Sequence, residues 1–345
     1  MTDTKQNAKQ TPLYRKALGS LVGGIIGDAM GTPTEGKSYQ QIDQQFGWVD
    51  DFEGVGTDDT ILKHLLAKAL IRTEGYATLD DWAQVWLDDW NAIFGPKVGK
   101  FFPSVIHTAS KLRKSGATPR TVALGNMPSS SSAMCISPVG IVNACNPRQA
   151  ALQAYSVAGL IHIHDVGFCQ DGAAAMAASV AEAFKPDATL DSVVEASTRY
   201  LLKLSGAEVR GMIDRTVGVA RKTGEFKAFR KAIYDDSGSF FRSIACDSRE
   251  TVPLTVALFY LAQGDVEKCV VYGANFGRDA DTIASMCGAI AGAFRGTDGI
   301  RKDWIDRVYE GTDVNQEELA QQLVQAGLKR LAAEKRAQAA LEAIV

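Results

Sequence analysis

The sequence predicts a mostly helical protein. Apolar residues recur with helical spacing from position 61 to 70 and again from 82 to 90, and an alanine-rich apolar stretch runs from 173 to 184. Alternation of polar and apolar residues, the pattern of a half-buried strand, is scarce. With 345 residues, 46% of them hydrophobic, the chain can bury a large core of packed helices.

Two segments repeat a small residue at every fourth position. Gly19, Gly23 and Gly27 form the first series. The second series is Ala284, Gly288 and Gly292. On a helix this spacing places the small residues on one face, where two backbones can approach closely. Glycine costs about 1 kcal/mol in a helix interior, so close packing is the expected compensation. The alternative for the first series is a glycine-rich loop.

Two amphipathic helices are predicted in the first third of the chain, and one buried helix in the middle. The first has an apolar face of Ile61, Leu62, Leu65, Leu66, Ala69 and Leu70. The second has a face of Trp82, Val85, Trp86 and Trp90, and the buried helix covers 173–184.

The end of the chain predicts one long amphipathic helix. Residues 315–345 are rich in Glu, Gln, Lys, Ala and Leu, and leucines follow near-heptad spacing at 319, 323, 328 and 331. Its apolar stripe packs on its own domain or, alternatively, on a partner in a weak dimer. The predicted organisation is therefore a disordered polar tail (1–12), one domain (13–312) without an internal linker, and the C-terminal helix (313–345).

Charge and hydropathy exclude several classes of partner. The formal net charge of −3 leaves no basic surface of the kind that neutralises nucleic-acid phosphates. No apolar run reaches the roughly 18 residues of a membrane span, and the polar start lacks the apolar segment of a signal peptide. The six cysteines show no C-x-x-C spacing, which is typical of reduced thiols. We therefore expect a cytoplasmic protein, monomeric or weakly dimeric.

Two acidic clusters predict a metal site. Thr57-Asp58-Asp59-Thr60 and Asp279-Ala280-Asp281-Thr282 each follow a glycine-containing turn and precede an apolar segment of helical period. If the fold brings these carboxylates together, they repel one another unless a cation neutralises them. Oxygen ligands suit Mg²⁺, Mn²⁺ or Ca²⁺ rather than zinc, so the pattern indicates a binuclear divalent-metal site. The alternative is that each cluster only caps a helix.

A rival hypothesis comes from Gly31–Ser38, which matches the P-loop pattern G-x-x-x-x-G-K-[ST]. In this alternative the protein is a nucleoside-triphosphatase. A P-loop, however, needs a buried strand before the glycines and a helix that begins at Lys37-Ser38. The helical spacing of the segment before Gly31 disagrees with that requirement.

Two histidines are close together at His162 and His164. Side chains two residues apart share a face only on extended backbone, and H-x-H without a further histidine is a weak metal pattern. The two hypotheses are a hydrogen-bonded structural role and a place for one of them in a ligand pocket.

The order of several motifs resembles the ADP-ribosylglycohydrolase family, typified by dinitrogenase-reductase-activating glycohydrolases and ADP-ribosylarginine hydrolases. The similarity spans about Ala17 to Trp304. The matching segments are Gly27-Asp-Ala-Met-Gly-Thr-Pro-Thr-Glu35, Gly56-Thr-Asp-Asp-Thr60, Ser132-Ala-Met134 through Pro138-Val-Gly140, His164 before an alanine-rich helix, Glu250-Thr-Val-Pro253, Ala274-Asn-Phe-Gly-Arg-Asp-Ala-Asp-Thr282 and Gly292-Ala-Phe-Arg-Gly296.

The resemblance implies an all-α fold, a single orthogonally packed helical bundle with two Mg²⁺ or Mn²⁺ ions in a central cleft. It implies hydrolysis of the bond between C1 of a ribose and its acceptor, in ADP-ribosylated protein side chains or related compounds. The implied metal ligands are Thr57, Asp58, Asp59, Asp279, Asp281 and Thr282, and the implied catalytic base is Asp59 or Glu35. The implied substrate-binding residues are Glu35, Gly125, Asn126, Ser132, Ala133, Met134 and His164.

One segment departs from the family pattern. Members that bind ADP-ribose often carry G-N-G-[SA]-x-M-R, whereas here Gly125-Asn126 is followed by Met-Pro and a serine-rich insertion, and Cys135 stands where Arg is usual. The resemblance implies that this loop lines the substrate cleft. A smaller N-riboside is therefore the alternative substrate.

Overall fold

A computed structural model describes residues 11–114 and 116–345. Over this part of the chain it is helical and contains no strand, so the predicted fold class is confirmed. The helices are α1 (Pro12–Gly31), α2 (Tyr39–Gln45), α3 (Asp58–Arg72), α4 (Leu79–Asp88), α5 (Trp90–Lys97), α6 (Pro103–Lys114), α7 (Ser137–Val142), α8 (Pro147–Ala158), α9 (Phe168–Ala183), α10 (Leu190–Arg199), α11 (Ala207–Thr223), α12 (Phe226–Asp235), α13 (Ser237–Phe240), α14 (Ser248–Leu261), α15 (Val266–Phe276), α16 (Ala280–Arg295), α17 (Lys302–Gly311) and α18 (Gln316–Glu342). Short 3₁₀ turns lie at Thr32–Thr34, Val98–Lys100, His164–Val166 and Thr297–Gly299.

Helices α1 and α16 form an antiparallel pair at the centre of the fold. The two small-residue series face each other across it: Gly19 lies against Gly292, Gly23 against Gly288, and Gly27 against Ala284. At each of these glycines a Cβ would lie less than 3.0 Å from the partner's carbonyl oxygen, which real contacts do not permit. The first series is therefore a helix and not a loop, and it sets the distance between the two backbones. This pairing also brings the end of α1, at Gly31, against Asp281 at the start of α16.

The long C-terminal helix packs on the rest of the chain with its first half. Helix α18 contacts α1, α3 and α7. Arg330, which is buried, donates hydrogen bonds to the carbonyl oxygen of Gly75 (3.0 Å) and to Oε1 of Gln153 (2.9 Å). Beyond Arg330 the helix is mostly exposed, with Leu331 and Leu341 open to solvent. Packing on the chain's own helices thus accounts for the first half of the apolar stripe.

The predicted polar tail, residues 1–12, lies outside the described residues except for its last two. The Thr11 hydroxyl accepts a hydrogen bond from the backbone N–H of Tyr14, and Pro12 is the first residue of α1. In the described ranges no helix is both long and apolar enough to cross a membrane.

The segment that matches the P-loop pattern does not fold as one. Helix α1 precedes Gly31 where a P-loop requires a strand. The backbone N–H of Gly36 donates to the carbonyl oxygen of Arg278 (2.7 Å), and that of Lys37 donates to Thr34 (3.2 Å). These N–H groups are already bonded and do not form a phosphate cradle.

Candidate active site

The two acidic segments meet at the floor of one cleft. Asp58 and Asp59 begin α3, and Asp279 and Asp281 lie at the beginning of α16, as the glycine turns before them predicted. The carboxylates form two groups whose oxygens lie within 4.8 Å of one another: Asp28 with Asp59 and Asp281, and Glu35 with Asp279 and Asp281. Asp281 belongs to both groups. The fold therefore places two potential cation positions side by side.

Asp28 is the member of this site that sequence reasoning missed. It is fully buried on α1, and its carboxylate accepts hydrogen bonds from the backbone N–H groups of Thr57 (2.9 Å) and Thr60 (3.1 Å) and from both hydroxyls (2.9 and 2.6 Å). Thr57, the N-cap residue of α3, makes no side-chain cap of its own. Asp28 therefore caps α3 from a neighbouring helix. A signal was present in the sequence, since an aspartate in the apolar helix Ile25-Ile-Gly-Asp-Ala-Met30 is costly without a function.

Gly56 is required by this arrangement. Its φ of +86° is in the left-handed region, and a Cβ at this position would collide with the carboxylate of Asp28. The glycine before the first acidic cluster thus allows α3 to begin directly over Asp28.

Glu35 is held in the cleft by backbone pairing with the second acidic segment. The N–H of Gly36 donates to Arg278 O, and the N–H of Arg278 donates to Lys37 O (2.8 Å). The Arg278 guanidinium is in turn fixed by Glu250, with two hydrogen bonds of 2.7 and 2.9 Å. This double link sets Glu35 beside Asp279 although the two residues are far apart in the chain.

The remaining polar contacts leave some carboxylate oxygens without a partner. Ser130 Oγ donates to Asp279 (3.1 Å), and Thr282 Oγ1 donates to Asp59 (3.3 Å). Oδ1 of Asp59 and Oδ1 of Asp281 are buried and accept no hydrogen bond from any of the described residues. Buried oxygens of this kind cost free energy unless they bind something. Together with the all-oxygen donor set, they fit a divalent cation.

Burial and mutual repulsion raise the pKa of these carboxyl groups. For Asp58, burial followed by the charge of Asp28 raises the pKa from 3.8 to about 7. For Asp279, burial followed by the charge of Glu35 also raises the pKa to about 7. Burial raises the pKa values of Asp59 and Asp281 well above the usual range. Without cations the site therefore favours protonated carboxyl groups.

This predicts a specific pH dependence for metal-free protein. A carboxyl group whose pKa is higher in the folded state binds more protons there, so stability falls as pH rises from the unfolded value near 4 to the folded value near 7. We expect the melting temperature of EDTA-treated protein to fall between pH 5 and pH 8, and the stabilisation by added Mn²⁺ to grow over the same range. Thermal melts at each pH measure both quantities. Metal-free protein that becomes more stable from pH 5 to pH 8 would contradict the prediction.

The cleft above the carboxylates has a volume of about 660 Å³. One wall contains Ser130, Ser131 and Met134, and another contains the segment from Ile244 to Cys246. The lining also includes residues that sequence reasoning did not select as site residues, namely Gly99, Lys100, Phe101, Phe102 and Arg278. None of them belongs to an acidic cluster, so their place in the cleft became visible only in the folded structure.

The six predicted metal ligands all line this cleft. Asp59, Asp279 and Asp281 belong to the two carboxylate groups, as does Glu35, the other predicted catalytic residue. Asp58 lies beside them and accepts a hydrogen bond from the backbone N–H of Phe102 (3.3 Å).

Two of the predicted substrate-binding residues, Glu35 and Met134, line the cleft. The others lie outside its lining. Ser132 and Ala133 are buried behind it, and Asn126 is buried with its amide donating to the carbonyl oxygen of Ile161 (2.8 Å). Gly125 is exposed and is not part of the cleft lining. His164 lies in a separate surface depression with Tyr155 and Asp171.

His162 has a structural place in the core. Both ring nitrogens are hydrogen-bonded, Nε2 to Ser129 Oγ (3.0 Å) and Nδ1 to Ser132 Oγ (2.8 Å). Burial lowers its pKa to about 3, so the ring is neutral. The serine-rich insertion therefore packs on this histidine from one side, while Ser130 faces Asp279 on the other.

The structure does not place Cys135 in the cleft. Its side chain is fully buried, and its Sγ donates to the carbonyl oxygen of Ser131 (3.3 Å). Ser130, Ser131 and Met134 of the same segment line the cleft, whereas Cys135 is buried outside the lining.

The helical fold and the cleft with two carboxylate groups agree with the ADP-ribosylglycohydrolase class that the motifs resemble. Residues 9–333 match the family model of ADP-ribosylglycohydrolases, so this chain belongs to that family. The resemblance inferred from the motifs is thus confirmed.

Several relatives match over most of the chain. The Escherichia coli (strain K12) protein YegU is 26% identical over 83% of this chain and 89% of its own length. Human ADP-ribosylhydrolase ARH3 is 23% identical over 86% of this chain and 90% of its own length. The ADP-ribosyl-[dinitrogen reductase] glycohydrolase of Rhodospirillum rubrum is 22% identical over 86% of this chain and 91% of its own length. A solved structure of an ADP-ribosylglycohydrolase-related protein complex is similar in fold, with a TM-score of 0.67, 18% identity, and coverage of 91% of this chain and 99% of that one.

Proposed function

We propose that this protein hydrolyses the bond between C1 of ribose and its acceptor in ADP-ribosylated side chains or related ADP-ribosyl compounds, using two Mg²⁺ or Mn²⁺ ions. The observation that carries the proposal is the pair of carboxylate groups that share Asp281 at the floor of the cleft. Unpartnered buried oxygens on Asp59 and Asp281 support cation binding there.

Residues of the cleft lining favour an ADP-ribosyl substrate over a small riboside. Lys100 supplies positive charge and Phe102 supplies aromatic surface, whereas the guanidinium of Arg278 is already paired with Glu250. Lysine ammonium groups bind phosphate oxygens, and aromatic rings stack on bases. A cleft of about 660 Å³ is also within the usual size range for a nucleotide-sized ligand.

The carboxylates of Asp28, Asp59, Asp279 and Asp281 would hold the two divalent cations, which would supply Lewis acidity toward the ribose hydroxyls and a water molecule. We assign the general base to Glu35, because it is the solvent-exposed member of the carboxylate groups and can reach a water in the cleft. Partial burial in the cleft, followed by the charge of Asp28, raises the pKa of Glu35, which makes the carboxylate a better proton acceptor. Asp59 is 1% exposed and accepts from Thr282, which suits a ligand more than a base. Removing a proton from water helps as positive charge develops at C1.

A product assay tests the proposal. Protein with Mg²⁺ or Mn²⁺ is incubated with ADP-ribosylarginine, ADP-ribosylserine, and simple nucleosides, and the released ADP-ribose or base is measured by chromatography. We expect release from at least one ADP-ribosyl compound, and at least about a thousandfold loss of rate in Glu35→Gln.

Two outcomes would overturn this proposal. Hydrolysis of nucleosides alone would make the smaller N-riboside the substrate. Full activity in Glu35→Gln would transfer the role of base to another carboxylate.

A further inference from the structure

A lysine lies buried directly behind the carboxylates. Lys63 of α3 is fully buried, a rare environment for this residue type. Its Nζ donates to Ser285 Oγ on α16 (3.3 Å). It also packs against Gly24 on α1, where a Cβ would approach Nζ to 2.5 Å. Three helices therefore build a closed cradle for one ammonium group.

This cradle is one helical turn from the cation site on all three helices. Lys63 follows Asp59 by four residues, Ser285 follows Asp281 by four, and Gly24 precedes Asp28 by four. Positions four apart lie on the same face of a helix, about 6 Å along it. The ammonium group thus forms a second layer beneath the group of Asp28, Asp59 and Asp281.

The charge of Lys63 acts on the carboxylates of Asp28 and Asp59 through space and not through an ion pair. Among the residues that the structure describes, no carboxylate oxygen lies within 4.0 Å of its Nζ. Burial lowers the pKa of Lys63, while the negative charges of Asp28 and Asp59 act in the opposite direction. The second carboxylate group differs from the first by having Glu35 and Asp279 in place of Asp28 and Asp59.

We propose that Lys63 is a built-in counter-charge that makes the two cation positions unequal, weakening the one at Asp28, Asp59 and Asp281. Lys63 is a positioning residue, and its role rests on the metal site of the proposed function. In metal-free protein its charge offsets part of the repulsion between the carboxylates. When an ion binds, the same charge repels it, and more strongly at the nearer position.

Repulsion by the charge of Lys63 weakens the binding of divalent ions at the carboxylates more than it weakens the binding of protons. A divalent cation carries twice the charge of a proton and is repelled about twice as strongly at the same point. Removing the charge of Lys63 therefore strengthens metal binding even where the metal must displace a proton from a carboxyl group. Measurement at pH 8 keeps that competition small.

The test is a calorimetric titration of metal-free protein with Mn²⁺ at pH 8, combined with thermal melts. We expect two binding steps in the wild type that differ in affinity at least about tenfold. In Lys63→Met the weaker step should tighten at least about tenfold, while the stronger step changes less. The metal-free melting temperature should fall, and saturating Mn²⁺ should restore most of the loss.

Lys68→Met is the matched control, because Lys68 is on the same helix but pairs with Asp89 at the surface (2.6 Å). It should leave both steps unchanged. Equal tightening of both steps, or no change in either, in Lys63→Met would overturn the proposal. Wild-type protein that binds no Mn²⁺ would overturn the metal site as well, which separates the two failures.

Lys63→Gln covers the case in which Lys63→Met does not fold without metal. Glutamine keeps a hydrogen-bond donor for Ser285 but carries no charge. Refolding with Mn²⁺ should yield folded protein for either variant. If both stay unfolded at saturating Mn²⁺, Lys63 serves packing alone and the proposal fails.

Discussion

Asp281→Asn is expected to abolish hydrolysis and to weaken the binding of both cations. Asp281 is the residue shared by the two carboxylate groups, so its loss removes one charged ligand from each position. Neutral amide oxygen is a poorer ligand for hard divalent ions than carboxylate oxygen. We expect the rate on any accepted substrate to fall at least about a thousandfold, and most of the Mn²⁺-induced rise in melting temperature to disappear.

Asp265→Asn is the matched control for this variant. Asp265 caps α15, where its carboxylate accepts from the backbone N–H of Lys268 (2.9 Å) away from the cleft, and asparagine caps helices equally well. It should keep both activity and metal response. An Asp281→Asn protein that retains the full Mn²⁺-induced stabilisation would show that the acidic segments serve as helix caps.

Gly292→Ala is expected to destabilise the fold more than other single-methyl additions. A Cβ at this position would overlap the carbonyl oxygen of Gly19, and backbone on both sides leaves no flexible side chain to move away. Overpacking a rigid contact costs about 1–3 kcal/mol or more. The expected result is a large drop in melting temperature, or insoluble protein. A separation of α1 from α16 would also move Asp28 from Asp281, so metal-induced stabilisation should fall as well.

Gly211→Ala provides the comparison, because Gly211 lies within α11 and a Cβ there would meet no side chain or neighbouring helix within 4 Å. At such a site alanine stabilises a helix by about 0.5–1 kcal/mol. We expect a small rise in melting temperature. If Gly292→Ala were as stable as Gly211→Ala, the close approach of α1 and α16 would not be a constraint on the fold.

The sequence was sufficient for the fold class and for most of the carboxylates that meet in the cleft. Helical spacing of apolar residues predicted α3, α4 and α9, although Trp90, which was assigned to the same helix as Trp82, begins the separate helix α5. The two small-residue series predicted helices with closely approaching faces. These signals are local in the chain, since they depend on which side chains share a helix face. The two acidic segments were also visible because each carries its carboxylates within four residues at a helix start.

Site residues that belong to neither acidic cluster were not predictable in the same way. Asp28 reaches the site from the last turn of α1, and Phe102 and Arg278 reach the cleft from loops whose positions depend on distant contacts. Similarly, the motif identified the loop that ends at Cys135 but did not decide which of its side chains line the cleft. A pattern identifies a position in the chain, but burial of its side chain depends on the helices packed around it.

By itself the sequence determined that the chain is helical, that two acidic turns begin helices, and that small residues line two helix faces. The tertiary structure alone decided that these faces belong to one antiparallel pair, that Asp281 is shared between two carboxylate groups, and that Lys63 lies beneath one of them. The physical reason is the range of the interactions. Helix formation and capping act over about four residues, whereas the repulsion between Asp28, Asp59 and Asp281 exists only after the core has packed three helices together.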